Sequence, residues 1–571
     1  MKIFLNEQEI TCTPEDYIFD IAEKNGVKIP HLCHHERLER TAHCRLCIVD
    51  VDIGNGKGRL MTSCSTKAAD GMKVNTHTPK VLEARRINLE LLLANHDLNC
   101  PTCPKNLHCK LQSYAGDFMI KDIRFSGKRR QVPVDNSSVS IRRDDNRCIL
   151  CGRCIKMCNQ IQTVYAIDQN NRGFDTIVTP ALGHTMAESS CVNCGQCVIV
   201  CPTGALTEKS DIQSVIDALN NPDKMLIAQT APSIRAALGE CFGMEAGTEV
   251  TGKMVTALKR LGFEKVFDTD LGADICIIEE ATEFVKRFKE NKNLPMITTC
   301  CPAWIKFGEQ FFFDELHHMS SCKSPQAILA SLIKTYYAQK IGKSPKDMIL
   351  VDIMPCTAKK YEITRPEFSG EADYVLTTVE LGKLIKEMNI DFVNLPDTEF
   401  DNPLGESTGA GVIFGHTGGV MEAALRTAVD WLEGKSLPKF EYNKALGGIE
   451  TKKEAKLKIK GKTVNICVVH TLGEARKLME DIKAGKSQYH FIEIMACYGG
   501  CVGGGGQPAP INAEILLKRA GALNRADNKK KIRKSHKNPA ALSIYKEYLG
   551  EFGSEQAHKL LHTSYTRKAY K

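Results

Sequence analysis

Cys148-Ile149-Leu150-Cys151-Gly152-Arg153-Cys154-Ile155-Lys156-Met157-Cys158 is answered downstream by Cys191-Val192-Asn193-Cys194-Gly195-Gln196-Cys197-Val198-Ile199-Val200-Cys201-Pro202. Both strings space their thiols C-x2-C-x2-C-x3-C, and this is the internal repeat of the chain. The sequence holds 25 cysteines. Its N-terminus turns polar after three apolar residues, so neither a secretory nor a twin-arginine signal is read, and a cytoplasmic location is expected. In a reducing compartment so many thiols point to metal binding or catalysis rather than to disulfides. At 571 residues the chain is too long for one core, and several domains are expected. No run of about 18 apolar residues argues for a membrane span. A net charge of +8 is modest, and no nucleic-acid fold accompanies it. The densest basic run, Lys529-Lys530-Lys531-Ile532-Arg533-Lys534, reads as a solvated strip, with docking of an acidic electron carrier as the other reading.

The doubled run resembles that of two-cluster bacterial ferredoxins, in which the fourth cysteine of each run ligates the other cluster. That resemblance assigns Cys148, Cys151, Cys154 and Cys201 to one 4Fe-4S cluster, and Cys191, Cys194, Cys197 and Cys158 to a second. Upstream, Cys33, Cys44, Cys47 and Cys64 stand C-x10-C-x2-C-x16-C. One tight pair and two distant members suit a 2Fe-2S cluster held by a long loop, with zinc as the competing reading. The layout resembles plant-type ferredoxin domains without their usual spacing. His96, Cys100, Cys103 and Cys109 follow as H-x3-C-x2-C-x5-C. By chemistry alone these four donors suit zinc. The string resembles the His-ligated 4Fe-4S module of the large iron-sulfur subunit of respiratory NADH dehydrogenase, and His108 inside it reads as a surface residue. At the N-terminus a hairpin turning at Asn6-Glu7 is expected, then a helix capped by Thr13 with Pro14 at its first position and Gly26 at its end.

From about residue 210 amphipathic helices and β-rich segments such as Met348–Ile353 and Val464–Val469 take over. Three strings stand out: Thr299-Cys300-Cys301-Pro302, Met354-Pro355-Cys356-Thr357-Ala358-Lys359-Lys360, and Met495-Ala496-Cys497-Tyr498-Gly499-Gly500-Cys501 with Gly503-Gly504-Gly505-Gly506 behind it. Glycines beside cysteines permit close backbone approach, and the G-x-G-x-x-G dinucleotide spacing is missing. Glu280, Glu283 and Arg287 share one face of a helix otherwise rich in apolar residues. Taken alone they read as a surface ion-pair strip, and Met354, Phe414 and Met495 as core packing. Cys12, Cys241, Cys276, Cys322 and Cys467 belong to no motif and read as small buried residues.

These strings resemble the signature motifs of the FeFe hydrogenases, with Thr299 where that family usually has Ser. The resemblance implies that Cys301, Cys356, Cys497 and Cys501 ligate the 4Fe-4S part of an H-cluster, Cys501 bridging to a diiron subcluster with carbon monoxide, cyanide and azadithiolate ligands. Lys359 matches the cyanide-binding lysine. Ala231, Pro232, Ser233, Gln326, Met354, Phe414 and Met495 match residues lining the diiron unit. Cys300 matches the thiol that exchanges a proton with the cofactor amine, and Glu280, Ser320, Glu283 and Arg287 a relay to solvent. The substrates implied are dihydrogen and protons. Non-catalytic relatives in iron-sulfur assembly lack the counterparts of Cys300 and Lys359, and a gas sensor would carry a signalling domain.

The expected architecture is an α/β catalytic domain of two lobes (residues 210–525) behind small α+β ferredoxin-like domains. These are a 2Fe-2S domain at 1–78, a 4Fe-4S domain with one histidine and three cysteine ligands at 79–125, and a two-cluster 4Fe-4S domain at 126–209. Together they make three accessory 4Fe-4S clusters and one 2Fe-2S cluster. Residues 526–571 resemble a small-subunit tail expected to wrap the catalytic domain. Asn159–Gly183 is similar to its counterpart in trimeric, NADH-linked, electron-bifurcating enzymes, and Ala303 stands where the monomeric ferredoxin-dependent enzymes commonly have Gly. The resemblance therefore implies flavin- and NAD-binding partner subunits and ferredoxin, with a monomeric ferredoxin-dependent hydrogenase as the alternative.

Overall fold

The computed structural model describes residues 1–54, 56–125, 127–368, 370–437 and 449–569. They pack as two units, one of residues 1–160, 165–189 and 200–207, the other of residues 161–164, 190–199 and 208–571.

The first unit opens on strands Lys2–Leu5 and Gln8–Thr11, paired antiparallel about Asn6 and Glu7, both at positive φ. With Ile48–Asp52, Arg59–Thr62 and Lys73–Asn75 they complete a five-stranded sheet, whose apolar face carries Ile3, Leu5, Val49, Val51 and Val74 against Ile18 and Phe19. The first helix is Ile18–Lys24, starting later than Thr13-Pro14 suggests. Asp16 explains the delay. Its carboxylate accepts from the backbone N–H and the hydroxyl of Thr13 at 2.8 and 2.9 Å, so Thr13 closes a turn instead of capping a helix.

The sequence repeat is also a backbone repeat. Leu150 and Asn193, each just before a second cysteine, and Gly152 and Gly195, each just after it, all have positive φ. Leu150 N–H and Asn193 N–H each point at the sulfur two residues back, Cys148 and Cys191, at 3.4 Å. Short helices Arg153–Lys156 and Gln196–Val200 then carry the third cysteines.

The second unit is built on two sheets. Strands Lys265–Asp268, Met225–Thr230, Met348–Met354 and Tyr374–Thr377 lie in that order, all parallel. Met296–Ile297, Phe491–Met495 and Lys462–His470 are parallel in the other, with Lys452–Ile459 antiparallel at its edge. Every residue of Met225–Thr230 and Phe491–Met495 is buried, as parallel strands covered on both faces require. Helix Thr269–Glu290 runs through the core, with Asp268 capping it by accepting from Asp270 N–H. The C-terminal segment is attached by backbone: Leu561 C=O accepts from Lys323 N–H, and Ser321 C=O from Thr563 N–H, both at 2.8 Å. The basic run is not merely a solvated strip. Arg533 pairs with Asp527, and Lys534 with Asp430 on helix Gly419–Glu433, anchoring the tail.

Candidate active site

The cysteine strings of the first unit converge. Cys148, Cys151, Cys154 and Cys201 line one small cavity, with Gly152 and Thr203. Cys33, Cys44, Cys109 and Cys151 share an apolar cluster with Leu32, Leu46, Leu89, Leu93 and Leu111. The chain just after Cys201 reaches the His96 string: a Cβ on Gly204 would stand 2.5 Å from Cys103 Sγ, and Cys109 Sγ lies 3.7 Å from Pro202 O. His96 is buried with Nδ1 unpartnered, and burial pulls its pKa down to about 4, keeping the ring neutral and fit to ligate. Among the described residues no three donors of these strings lie within 4.8 Å of one another. A single zinc, with sulfur at about 2.3 Å, would draw its thiolates closer than that, so the sets fit clusters better than zinc. His108 is exposed. Cys158 belongs to the first unit, and Cys191, Cys194 and Cys197 to the second.

In the second unit the three strings meet at the carboxyl ends of parallel strands, where open α/β sheets place their ligands. Cys300 and Cys301 follow Met296–Ile297, Cys356 follows Met348–Met354, Cys497 and Cys501 follow Phe491–Met495, and Ala231-Pro232-Ser233 follow Met225–Thr230. All of them line one cavity of about 70 Å³, together with Gln326, Met354, Lys359, Phe414 and Met495. Its wall is apolar except for a few polar atoms. Ser233 Oγ and Gln326 Oε1 are buried without partners. Lys359 Nζ donates to Ser324 Oγ at 2.8 Å and Glu362 Oε2 at 2.7 Å. Burial works against the Lys359 charge, but Glu362 overcomes this and raises the pKa. Four thiols around an apolar space with orphaned polar atoms and a fixed cation fit an iron-sulfur group carrying small polar ligands.

The glycine loop serves a neighbouring loop as much as the cavity. A Cβ on Gly504 would meet Pro355 O at 2.2 Å, and one on Gly505 would meet Cys194 O at 2.5 Å. Thr357 Oγ1 donates to Asn193 O at 2.7 Å, and Gln196 Nε2 to Gly503 O at 3.0 Å. The Cys191–Cys197 loop is thus locked against the loops bearing Cys356 and Cys501.

Behind Cys300, helix Thr269–Glu290 carries Glu280, buried to 1% exposure, with Oε2 unpartnered. Its pKa is pushed up to about 8, first by burial and then by the charge of Glu283, so the carboxyl holds a proton at neutral pH. Glu283 Oε2 accepts from Ser320 Oγ at 2.9 Å, and its Oε1 takes Arg287 Nη2 at 2.6 Å. The residues read in isolation as a surface strip therefore descend from core to surface over about 10 Å of helix. Burial pushes the Cys300 thiol up.

Four family models match the chain outside its centre: "2Fe-2S iron-sulfur cluster binding domain" at 1–79, "NADH-ubiquinone oxidoreductase-G iron-sulfur binding region" at 85–124, "4Fe-4S dicluster domain" at 147–205, and "Iron hydrogenase small subunit" at 513–568. "Iron only hydrogenase large subunit, C-terminal domain" matches 224–505. The NADP-reducing hydrogenase subunit HndD of Solidesulfovibrio fructosivorans is 47% identical, covering 98% of this chain and 97% of the relative. The chain belongs to the FeFe hydrogenases. Iron hydrogenase 1 of Clostridium pasteurianum is 39% identical over 99% of this chain and 100% of its own. A solved apo FeFe hydrogenase variant from Chlamydomonas reinhardtii is 40% identical, with a TM-score of 0.58, over 63% of this chain and 100% of that one.

As an FeFe hydrogenase catalytic subunit the chain is an oxidoreductase acting on hydrogen, with 2Fe-2S and 4Fe-4S binding domains ahead of an H-cluster domain. No helix among the described residues is long and apolar enough to cross a membrane. The sequence reading missed Ser324 and Glu362 beside Lys359. It also missed Glu493, which accepts from Gly418 N–H at 2.7 Å and Met421 N–H at 2.8 Å beneath the Phe414 loop. Glu362 was within reach, since i,i+3 spacing puts it beside Lys359. Glu493 gives no local signal. Of the motif-free cysteines, Cys276 and Cys322 are buried with sulfurs 3.8 Å apart, while Cys241 is only half-buried.

Proposed function

We propose that Cys301, Cys356, Cys497 and Cys501 hold the H-cluster, with Lys359, Ser233, Gln326, Ala231, Pro232, Met354, Phe414 and Met495 around its diiron part, and that Cys300, Glu280, Ser320 and Glu283 carry protons. When bound, that group supplies the electrons and the iron site at which dihydrogen is made or split. Cys300 is the first donor and acceptor at the cavity wall, and Glu280, protonated at neutral pH, is the next. Ser320 bridges to Glu283, which Arg287 positions. The observation that carries this reading is the single cavity shared by all four thiols and Cys300, with Glu280 buried behind it. Protein matured with the diiron-cofactor machinery should show carbonyl and cyanide infrared bands and evolve dihydrogen from reduced viologen. Absence of the bands sinks the assignment.

The same reading gives electrons a route through one 2Fe-2S and three 4Fe-4S clusters, held by the ligand sets and domains drawn from the sequence. It places the enzyme in the cytoplasm with ferredoxin and a flavin- and NAD-binding subunit, as an electron-bifurcating assembly. Support comes from the likeness to an NADP-reducing hydrogenase subunit and from the NADH-ubiquinone oxidoreductase-G match at 85–124. The chain itself carries no G-x-G-x-x-G fingerprint. Co-purification of the native protein with partner subunits is the test. Rapid NAD reduction by the isolated chain under dihydrogen removes the need for a partner, and a monomer fully competent with ferredoxin favours the simpler enzyme.

A further inference from the structure

Arg287 cannot be the outer proton carrier. Its guanidinium donates to Glu283 Oε1 and to the carbonyls of Asn293, His317, His318 and Met319 at 2.6 to 3.3 Å. A guanidinium is not deprotonated in proteins, so it fixes Glu283 without relaying for it. The other oxygen of Glu283 leads elsewhere. Oε2 accepts from Ser321 Oγ at 3.2 Å; Ser321 Oγ lies 2.8 Å from His562 Nδ1; His562 Nε2 lies 2.9 Å from Glu279 Oε2; and Tyr545 OH donates to Glu279 Oε1 at 2.5 Å. Glu279 sits one turn before Glu283 on the same helix.

We infer that His562, from the C-terminal segment, is the outer relay of the proton path, receiving from Glu283 through Ser321 and exchanging with water in the cavity it lines. That cavity measures about 390 Å³, and Glu279, Glu283, Arg287, Ser321 and His558 also line it. This rests on the relay reading given above. Outward, Ser321 Oγ takes the proton of the Glu283 carboxyl and gives its own to His562 Nδ1. The imidazolium so formed carries its second proton on Nε2, against Glu279 Oε2 at 2.9 Å, and releases that proton to cavity water as the contact opens, so one enters and one leaves. During dihydrogen evolution the order reverses. Imidazole suits the place because it has two ring nitrogens, one facing Ser321 and the other Glu279, so it can take a proton on one and give one up from the other. The charged groups facing it are Glu279 from the long helix and His558 from its own helix, rings 4.2 Å apart, with Lys286, Glu290 and Lys292 at the cavity wall. Burial works against a charge on Glu279, but bonds from His562, Tyr545 and Gly553 hold its carboxyl below the usual range, ready to pair.

A merely structural imidazole would pin the tail. The backbone already does so, through Leu561 to Lys323 and Thr563 to Ser321. The test therefore uses the full holoenzyme with His562→Gln, which keeps hydrogen bonding without titration, and His562→Ala, which opens space. Both should keep iron content and infrared bands while losing about 100-fold in viologen-driven turnover. Both should also change the shape of the pH profile, and added imidazole should restore the Ala variant severalfold. Native rate and profile in His562→Gln overturn the inference, as does a loss in the Ala variant that imidazole leaves untouched. Glu283→Gln separates the two readings. Slow Glu283→Gln beside normal His562→Gln removes only the outer step, whereas normal Glu283→Gln removes the relay itself.

Discussion

In the run Cys148–Cys158 one loop and one short helix supply three of the sulfurs, and the backbone alone sets them, through Leu150 and Gly152 at φ 51 and 76. In the hydrogenase cavity Cys301, Cys356, Cys497 and Cys501 arrive from the ends of three strands in two sheets. The surroundings differ as much as the construction. Sulfurs of three strings in the first unit share leucine packing. Behind Cys300 stand hydroxyls and carboxyls, with Ser320 and Ser321 at 2.9 and 3.2 Å from Glu283 Oε2. Electrons cross apolar packing between redox groups, but a proton needs a donor and an acceptor in contact at every step. Under the proposed function each region moves the particle its construction suits.

Substitutions should split along that line. The largest effect belongs to Cys300→Ala, which removes the first proton group while leaving all twenty proposed ligands in place. Turnover should fall about 100- to 10,000-fold with unchanged iron content and infrared bands. Near-native turnover would mean that protons enter elsewhere. Glu280→Gln comes next, at about 100-fold, and carries an opposite sign in stability. A carboxyl with a folded pKa near 8 and an unfolded one near 4.3 binds its proton more tightly when folded. Native stability is therefore lost as pH rises from about 4.3 to about 8, by a few kcal/mol in all. The amide escapes this loss. Thermal unfolding should show Glu280→Gln gaining on the native enzyme up to about pH 8 and holding its lead above. A constant difference across that range would show that Glu280 is not buried as a neutral acid.

On the electron side, Cys109→Ala should cost little with reduced viologen, which can donate close to the catalytic unit. It should slow turnover with protein or NAD-linked donors by about tenfold or more. Equal loss with both donors would mean that Cys109 supports the fold rather than the wire.

The same contrast explains what was legible. The doubled run, the hairpin at Asn6-Glu7 and strands Met348–Met354 and Lys462–His470 are written in local spacing and alternation. Thr13 misled because a capping residue and a turn residue look alike until Asp16 takes its hydroxyl. Cavity residues such as Ser233, Gln326 and Phe414 came from resemblance, since nothing in their neighbourhoods distinguishes a cavity wall from a core. Glu279, Ser321 and His562 stayed hidden because the chain joining them is tertiary, spanning 283 residues between Glu279 and His562.

The smallest effect tests Thr299, where the family usually has Ser. Its hydroxyl donates to Cys322 O at 2.8 Å, tying the Cys300 loop to the segment that carries Ser320 and Ser321. Serine keeps that hydroxyl and gives up a methyl in a buried position, so Thr299→Ser should stay within about twofold in turnover and lose about 1 kcal/mol or less. Valine keeps the volume and loses the donor, leaving the Cys322 carbonyl only the 3.4 Å bond from Tyr565 OH, at a cost of about 1 kcal/mol. That loss acts on a loop that holds Cys301 on one side and Cys300 on the other. Thr299→Val should therefore loosen both, broadening the infrared bands and slowing turnover together. If Thr299→Val instead slows turnover with bands unchanged, the hydroxyl serves only the proton side. If Thr299→Ser falls as far as Thr299→Val, the methyl and not the hydrogen bond holds the loop.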